Sequence, residues 1–311
     1  MSLVSIIVPN YNHAKFLNNR IESIINQTYR NFEIIILDDC STDNSREIIE
    51  KYRGNSKVSH IVYNDVNGGS TFRQWQKGIN LAKGDLIWIA GSDDYSDKKF
   101  LEKVFNEFCK NNSVGLVYTS SIIVDENENI LSTMKTPGFF ELYKSKDFIV
   151  TKMSSGNSIS NASSAVFKKD ASKRIDNDFE KLNYCGDWLF WVNVALNSEK
   201  VGYLNTDLNY FRRHPHNVSY NSEAKGLAFF EGEEILKYIF KKIELSFSER
   251  LNIYKRWGHK YYYSLKINEY NISTLTHIKI FLSLLKLNPF IILFSLLYGI
   301  KDVLPNAKAS R

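Results

Sequence analysis

The chain has 311 residues, 43% of them hydrophobic and 24% charged, which excludes a disordered protein and allows one large domain with an appendage. Its formal net charge of +6 suits an anionic ligand or a membrane surface, but the basic residues are too dispersed to indicate nucleic-acid binding. Cys40, Cys109 and Cys185 lack metal-ligand spacing and are odd in number, so we expect a reducing compartment, the cytoplasm.

Up to about residue 125 the chain alternates short apolar runs with amphipathic stretches. The opening VSIIVP has no preceding basic region or cleavage site, so it predicts a first strand and not a signal peptide. FEIIILDD and LIWIAGSDD also have the length of buried strands, and each is followed by a segment with a 3.6-residue apolar period. This pattern is typical of βαβ units, which build a mostly parallel central sheet flanked by helices.

Polar residues follow each of the first four predicted strands, as PNYN, DDCSTDNS, NDVNGG and GSDDY. In sheets of this kind the ligand lies beyond the carboxyl ends of the strands. Four polar strand ends at one edge therefore predict a binding site there. Taken alone, however, the Ser-Asp-Asp of GSDDY favours a helix N-cap before DKKFLEKVFNEF.

Residues 126–221 have a less regular pattern. SSGNSISNASSAVF predicts a loop entering a strand, YCGDWLFWVNVAL a helix with Asp187 at its start, and VGYLNTDLNYFRRH a further strand. Because no linker or repeat separates these segments from the first half, we predict one domain over residues 1–221.

Residues 222–311 predict a helical C-terminal region. The last apolar run, residues 287–300, is shorter than the roughly 20 residues of a spanning helix and contains Asn288 and Pro289. Lysine and tyrosine interleaved with apolar residues suit a helix in a membrane interface, and a packing helix or a homodimer face explains the pattern nearly as well.

Several motifs in this order resemble the family 2 glycosyltransferases of the GT-A fold, of the type that builds bacterial cell-surface polysaccharide. They are VSIIVPNYN, SIINQTYRNFEIIILDDCSTDNS, NGG, INLAKGDLIWIAGSDDY, GDWLFW and YFRRHPHNVS. The resemblance implies an inverting enzyme that moves a sugar from a nucleotide-diphosphate donor to a glycan hydroxyl. With the basic C-terminal helices, it suggests a lipid-linked acceptor and peripheral contact with the inner face of the cytoplasmic membrane.

The resemblance also implies the residues that bind the nucleotide-sugar. Those it places at the donor are Pro9, Tyr11 and Asn12 near the base, Asp39 at a base N–H, Asn67 and Arg73 near the diphosphate, and Asp93, Asp94 and His214. Simpler interpretations stand beside these: a tyrosine that anchors a strand end, an ordinary Gly-Gly turn, and a solvated helix arginine.

Two carboxylates carry the implied chemistry. Asp94 is the predicted ligand of Mn²⁺ or Mg²⁺, with Asp93 toward the ribose or sugar, although Gly91 replaces an acidic residue usual in the family. Asp187 is the predicted general base, although Gly186 stands where the family has Glu. Taken alone, Asp187 would be a helix N-cap.

Other classes of function make different demands on the turn after the first strand. A sugar nucleotidyltransferase needs a glycine-rich basic loop there, and this chain has PNYNHAKF. A dinucleotide oxidoreductase is excluded because no glycine precedes Gly54. A non-catalytic nucleotide-sugar-binding partner in glycan assembly stays open, since Gly91 and Gly186 both depart from the family pattern.

Overall fold

The computed structural model of the chain describes residues 2–133, 139–159, 161–173, 175, 177–213 and 219–303. The chain forms two compact units. The first comprises Met1–Phe148, Ile159–Lys181 and Phe190–His216, and the second comprises Ile149–Ser158, Leu182–Leu189 and Asn217–Arg311. The second unit thus contains the predicted helical C-terminal region together with two short earlier segments.

The first unit is built on a sheet that contains ten strands among the described residues. They are β1 Val4–Asn10, β2 Phe32–Asp38, β3 Val58–Tyr63, β4 Leu86–Ile89, β5 Tyr95–Ser96, β6 Val114–Val124, β7 Ile130–Ser132, β8 Phe140–Lys144, β9 Ala165–Lys168 and β10 Lys200–Arg212. The helices of this part of the chain are α1 Ala14–Ile25, α2 Ser45–Glu50, α3 Thr71–Leu81, α4 Phe100–Lys110, α5 Ser145–Phe148 and α6 Lys169–Ser172. Helix α7, Gly186–Leu196, contributes residues to both units.

The strand order is β3-β2-β1-β4-β9-β6-β10-β5, with β7 beside β6 and β8 beside β10. Strands β3, β2, β1 and β4 run parallel, whereas β9 is antiparallel to both β4 and β6. This confirms the predicted α/β class with its central parallel strands. The chain leaves β1 toward β2 and later returns to its other side as β4, so β1 and β4 border the switch point where such sheets bind ligands.

Apolar side chains on both faces of the parallel strands explain why these segments form the centre of the sheet. Ile6, Ile34 and Trp88 are fully buried in one core cluster. On α3, a Cβ at Gly78 would lie 2.3 Å from Cγ2 of Ile7, so the absence of a side chain lets this helix pack directly on β1.

The second unit is mostly helical. It contains a π-helical turn at Ile149–Met153 and the helices α8 Ser219–Ala224, α9 Leu227–Lys242, α10 Phe247–Ile267, α11 Thr274–Leu287 and α12 Pro289–Val303. Ser246 and Glu249 form a capping box that starts α10, and Ile253 and Trp257 of this helix are fully buried. Across the described residues, no helix has both the length and the apolar character needed to cross a membrane.

Candidate active site

The carboxyl ends of β1 and β2 are joined through Asp38, which is fully buried. Its Oδ1 accepts from Nδ2 of Asn10 at 2.9 Å and from the Ser41 hydroxyl at 2.5 Å, and its Oδ2 accepts from the backbone N–H of Ser41 at 3.0 Å. Buried carboxylates are retained when donors replace water in this way. Asp38 therefore fixes the two loops that leave the centre of the sheet.

Asp39 joins the end of β2 to the end of β3 and to α3. Its Oδ1 accepts three hydrogen bonds, from Asn64 Nδ2 at 2.6 Å, from the Gly68 N–H at 2.9 Å and from Gln74 Nε2 at 2.9 Å. All three bonds reach the same oxygen, so the carboxylate has further acceptor capacity at Oδ2. Asp39 thus has a structural role in addition to the nucleotide contact predicted for it.

The glycine turn after β3 is held from both sides. The Asn67 side chain accepts from the Gly69 N–H at 2.6 Å, and Gly69 has φ of +67°, where a side chain would be strained. Arg73, exposed on α3, donates from Nη1 to the Gly68 carbonyl at 2.9 Å. The structure therefore brings Asn67 and Arg73 to one turn, with the guanidinium at the surface.

The three residues predicted near the base have different surroundings. Pro9 is buried inside β1 opposite Leu37, and Asn12 has φ of +55° with its side-chain oxygen accepting from the Thr42 N–H at 2.8 Å. Tyr11 is 43% exposed at the end of β1. Of the three, Tyr11 has the accessible ring that stacking on a base requires.

Residues 91–94, here called the acidic loop, follow β4 on the other side of the switch point. Asp94 is 3% exposed, and its Oδ2 accepts from Asn161 Nδ2 at 2.9 Å and from the Ser163 hydroxyl at 2.6 Å. Its Oδ1 accepts from the backbone N–H of Arg212 at 3.0 Å. Asp94 is consequently anchored by three protein donors, whereas its neighbour Asp93 is partly exposed.

A buried arginine lies beside the acidic loop. Arg20 of α1 is fully buried, donates from Nε to the Gly91 carbonyl at 2.9 Å, and lies 5.1 Å from the ring centroid of Trp88. Burial raises the pKa of Asp94 to about 6 and the Asp93 carboxylate acts in the same direction, while the charge on Arg20 opposes them. Arg20 therefore stabilises two adjacent carboxylates that would otherwise repel each other.

The N-cap interpretation of the acidic loop is wrong. Helix α4 begins at Phe100, and the intervening Asp97 is the residue whose side chain accepts a backbone N–H there, from Lys99 at 2.8 Å. Asp93 and Asp94 precede the short strand β5 and are separated from the helix by it. Their position at a strand end is thus not explained by helix capping.

Asp94, the predicted metal ligand, accepts two hydrogen bonds at Oδ2 and one at Oδ1, which leaves acceptor capacity at Oδ1. Among the described residues, no group of three or more His, Cys, Asp or Glu side chains could hold a metal ion. Mg²⁺ needs only one or two carboxylates when a diphosphate supplies other oxygens, and the partly exposed Asp93 fits that requirement. His214 lies outside the described residues.

Asp187 lies in the second unit, in the first turn of α7. Its Oδ2 accepts from Asn157 Nδ2 at 2.9 Å and its Oδ1 from the Trp188 N–H at 2.7 Å. Burial raises the pKa of Asp187 to about 6, against the lowering effect of these bonds. A carboxylate with a raised pKa is suited to accept a proton.

The turn before α7 is fixed by one carboxylate from α9. The buried Glu231 accepts from the backbone N–H groups of Asn183, Tyr184 and Cys185, at 2.9, 3.0 and 2.7 Å. These donors are the free amides that precede a helix, so Glu231 both satisfies them and holds the chain that carries Asp187.

Sequence reasoning missed most of the side chains that position these carboxylates. Gln74 bonds Asp39, and Asn161 and Ser163 bond Asp94, from distant parts of the chain. Arg20 and Glu231 instead bond the backbone beside Asp93 and Asp187, at the Gly91 carbonyl and at the N–H groups of residues 183–185. Arg20 lies in a helix whose pattern also suits a surface arginine, and the other four are common polar residues. Only burial and long-range contacts distinguish them.

Comparison with known proteins agrees with this fold. The model of the family described as "Glycosyl transferase family 2" matches residues 5–173. The family match, together with this α/β sheet and its C-terminal helices, places the chain among the glycosyltransferases of the GT-A fold. The chain belongs to glycosyl transferase family 2.

Relatives from several organisms share parts of this sequence. An uncharacterized glycosyltransferase, MJ1057 of Methanocaldococcus jannaschii, is 32% identical over 225 residues, which cover 72% of this chain and 74% of that protein. TarS of Staphylococcus aureus, a poly(ribitol-phosphate) beta-N-acetylglucosaminyltransferase, is 26% identical over 68% of this chain but only 35% of its own length. Bacillus subtilis TuaG, a putative teichuronic acid biosynthesis glycosyltransferase, is 34% identical over 38% of this chain and 46% of its length.

Solved structures of S. aureus TarS residues 1–349 share the fold. The complex with UDP has a TM-score of 0.58 at 18% identity and covers 96% of this chain and 91% of that one. The complex with UDP-GlcNAc has a TM-score of 0.56 at 19% identity and covers 83% and 80%.

Proposed function

We propose that this glycosyltransferase moves a sugar from a nucleotide-diphosphate donor to a hydroxyl of a glycan acceptor, with inversion at the anomeric carbon. The proposal is supported mainly by the hydrogen bonds that join the ends of the parallel strands around the switch point. Asp38 joins β1 to β2, Asp39 joins β2 to β3, and Arg20 and Asp93 lie at the end of β4. A site of this form suits a nucleotide whose phosphates need positive or metal partners.

The donor contacts follow from which groups remain accessible. Tyr11 would stack on the base, Oδ2 of Asp39 would accept a base N–H, and Arg73 would approach the diphosphate with its planar guanidinium. Pro9 and Asn12 would shape the base pocket, and Asn67 would hold the turn that approaches the phosphates. UDP and UDP-GlcNAc in the TarS structures support a nucleotide-sugar donor for this chain.

Asp93 is the residue that we propose to hold a divalent cation, Mn²⁺ or Mg²⁺, with Asp94 supporting it from behind. When bound, such a cation offsets negative charge on the leaving nucleotide diphosphate. Arg212 helps to place the carboxylate, because its Nε donates to the Asp93 carbonyl at 2.9 Å. Asp93 and Asp94 would therefore divide the binding and structural tasks of the acidic loop.

Asp187 is the proposed general base. It would take the proton from the acceptor hydroxyl as that oxygen attacks the anomeric carbon and the nucleotide diphosphate leaves from the opposite face. With a pKa of about 6 it is mostly ionised at pH 7 yet more basic than an ordinary aspartate. Asn157 would keep the carboxylate oriented through its hydrogen bond to Oδ2.

The C-terminal helices support a membrane-proximal acceptor, such as a lipid-linked saccharide. The outer face of α11 presents Leu275, Ile278, Leu282 and Leu285, each at least 40% exposed, at helical spacing. Lys279 and Lys286 are also exposed on α11, and this helix contains no acidic residue. Apolar side chains beside lysines suit peripheral contact with an anionic membrane surface.

Release of nucleoside diphosphate from a panel of UDP, GDP and dTDP sugars, with and without Mn²⁺, tests the proposal. We expect metal-stimulated release with one donor class, faster when an acceptor glycan is present. Thermal shift with the same panel measures donor binding separately, because a ligand of the native state raises its stability. Donor binding without release under any condition would instead indicate the non-catalytic binding partner.

A further inference from the structure

The second unit contains an open pocket of about 640 Å³ whose lining is unusually basic. One face of α10 contributes most of it, and α12 and the turn after the π-helical segment complete it. The lining residues are Ser155, Asn252, Lys255, Arg256, His259, Lys260 and Tyr298. Among these described residues four are cationic or can become so, and none is acidic.

Two of the cationic side chains, those of Lys260 and His259, are held in place by aromatic rings. Lys260 Nζ lies between 5.1 and 5.5 Å from the ring centroids of Trp188, Phe229 and Trp257. The His259 ring packs edge-on against Tyr298, with centroids 4.8 Å apart. Cationic side chains that are already ordered lose less conformational entropy when they bind an anion than free lysines do.

Arg256 uses only some of its hydrogen-bond donors within the protein. Its Nη2 donates to the Val150 carbonyl and to the Ser154 hydroxyl, while Nε is buried with no hydrogen-bond partner among the described residues. The pKa of the nearby Asp302 is lowered chiefly by its bonds from Lys266 and Tyr262, and the charge of His259 acts in the same direction. The pocket therefore has an excess of donors and positive charge.

The same short segment that lines the pocket also contacts the proposed base. Ser155 is a lining residue, and Asn157, two residues further on, donates to Asp187. Trp257 Nε1 donates to the Ser154 carbonyl at 2.8 Å, which fixes this segment on α10. A ligand in the pocket would therefore adjoin the chain segment that orients Asp187.

We propose that this pocket binds a phosphate group of the acceptor, so that the enzyme acts on a phosphate-bearing glycan or polyol chain. The inference rests on the proposed function only in assigning the ligand to the acceptor. Four basic groups are more than one carboxylate needs, whereas phosphate oxygens accept several charge-assisted hydrogen bonds together.

Calorimetric titration of the full chain, without donor, tests the site. The probes are a glycerol phosphodiester oligomer, an uncharged glycerol oligomer of equal length, and a polycarboxylate of equal charge. Wild type should bind the phosphodiester most tightly, with affinity falling as salt increases. The double variant Lys255→Gln/His259→Gln should lose about tenfold or more, while Lys241→Gln, an exposed lysine on α9, should not.

Equal binding of the neutral oligomer or the polycarboxylate would overturn the phosphate assignment, as would equal binding by the double variant. If the variant instead loses only binding to phosphatidylglycerol vesicles, the phosphate is a lipid headgroup and the acceptor proposal fails. In transfer assays, the double variant should have a higher KM for the acceptor than wild type, while its donor hydrolysis is unchanged. If the proposed glycosyl transfer does not occur, no donor is consumed, whereas the calorimetric result still stands.

Discussion

At residues 93 and 94, two adjacent carboxylates have opposite surroundings. Asp94 is buried and accepts from Asn161, Ser163 and Arg212, whereas Asp93 is partly exposed beside the same Arg20. A buried carboxylate bound by three donors has less acceptor capacity left for a cation than a partly exposed one. The two residues should therefore respond differently to the same substitution.

Asp94→Asn should lower the free energy of unfolding by about 1–3 kcal/mol, because an amide N–H would face the donors that the carboxylate now accepts from. Asp93→Asn should change it by less than about 1 kcal/mol but reduce the Mn²⁺-dependent thermal shift with donor. Chemical denaturation and thermal shift measure these effects. A stable Asp94→Asn that loses only metal dependence would restore Asp94 as the ligand.

The raised pKa of Asp187 predicts how the rate of transfer depends on pH. As the pH falls through about 6 Asp187 becomes protonated, so if it is the base as proposed, kcat/KM for transfer should decrease by up to tenfold per pH unit. Initial rates between pH 5 and 8 give the profile, with donor binding measured at each pH as the control. A rate that is flat down to pH 5 would mean that another group takes the proton.

Asp187→Asn should abolish transfer without unfolding the protein. The folded-state pKa of Asp187 is raised above its ordinary value, so its ionisation costs stability above about pH 6 and the neutral amide removes that cost. We therefore expect an unchanged or higher thermal midpoint at pH 8 together with normal donor binding. Retained transfer in this variant would place the base elsewhere.

At the scale of elements, the start of α7 depends on a residue of α9. Glu231 accepts from three consecutive backbone N–H groups just before the helix, and Trp188 Nε1 donates to the Met153 carbonyl at 2.7 Å. The helix is thus anchored at its first turn, where Asp187 lies. Positioning of the proposed base should therefore be sensitive to this anchor.

Glu231→Ala should destabilise the fold by about 2–4 kcal/mol, because three backbone N–H groups, that of Cys185 buried, lose a charged acceptor. In the folded protein kcat should fall while the donor dissociation constant stays constant. Glu234→Ala, an exposed glutamate on the same helix, is the matched control. An unaltered kcat in folded Glu231→Ala would show that this anchor does not position Asp187.

At the scale of the whole molecule, the exposed apolar faces of α11 and α12 indicate that another surface covers them. Leu293, Leu296 and Ile300 of α12 are exposed like the apolar residues of α11. Exposed apolar surface of this extent is uncommon on a protein that has no partner. A membrane surface or a second copy of the chain could cover these faces, and the two alternatives predict different results.

Ile278→Gln/Leu282→Gln should reduce co-sedimentation with vesicles containing phosphatidylglycerol, because it removes apolar area from the middle of α11. Ile130→Gln, which changes an exposed apolar residue on β7, should leave vesicle binding unchanged. Analytical ultracentrifugation of the same proteins tests the alternative. Conversion of a dimer to a monomer by the double variant, with no effect on vesicles, would assign the face to a homodimer.

The sequence by itself determined the alternation of strands and helices, because apolar periodicity is a local property that each segment carries. It also determined that Tyr11, Asp39 and Asp93 follow strands, and parallel strands bring their ends to one edge. Only the tertiary structure decided which of Asp93 and Asp94 is buried. The donors responsible, such as Arg212, lie up to 118 residues away, and no local pattern records such contacts. The antiparallel insertion of β9, the buried charge of Arg20 and the basic pocket on α10 depend on packing in the same way.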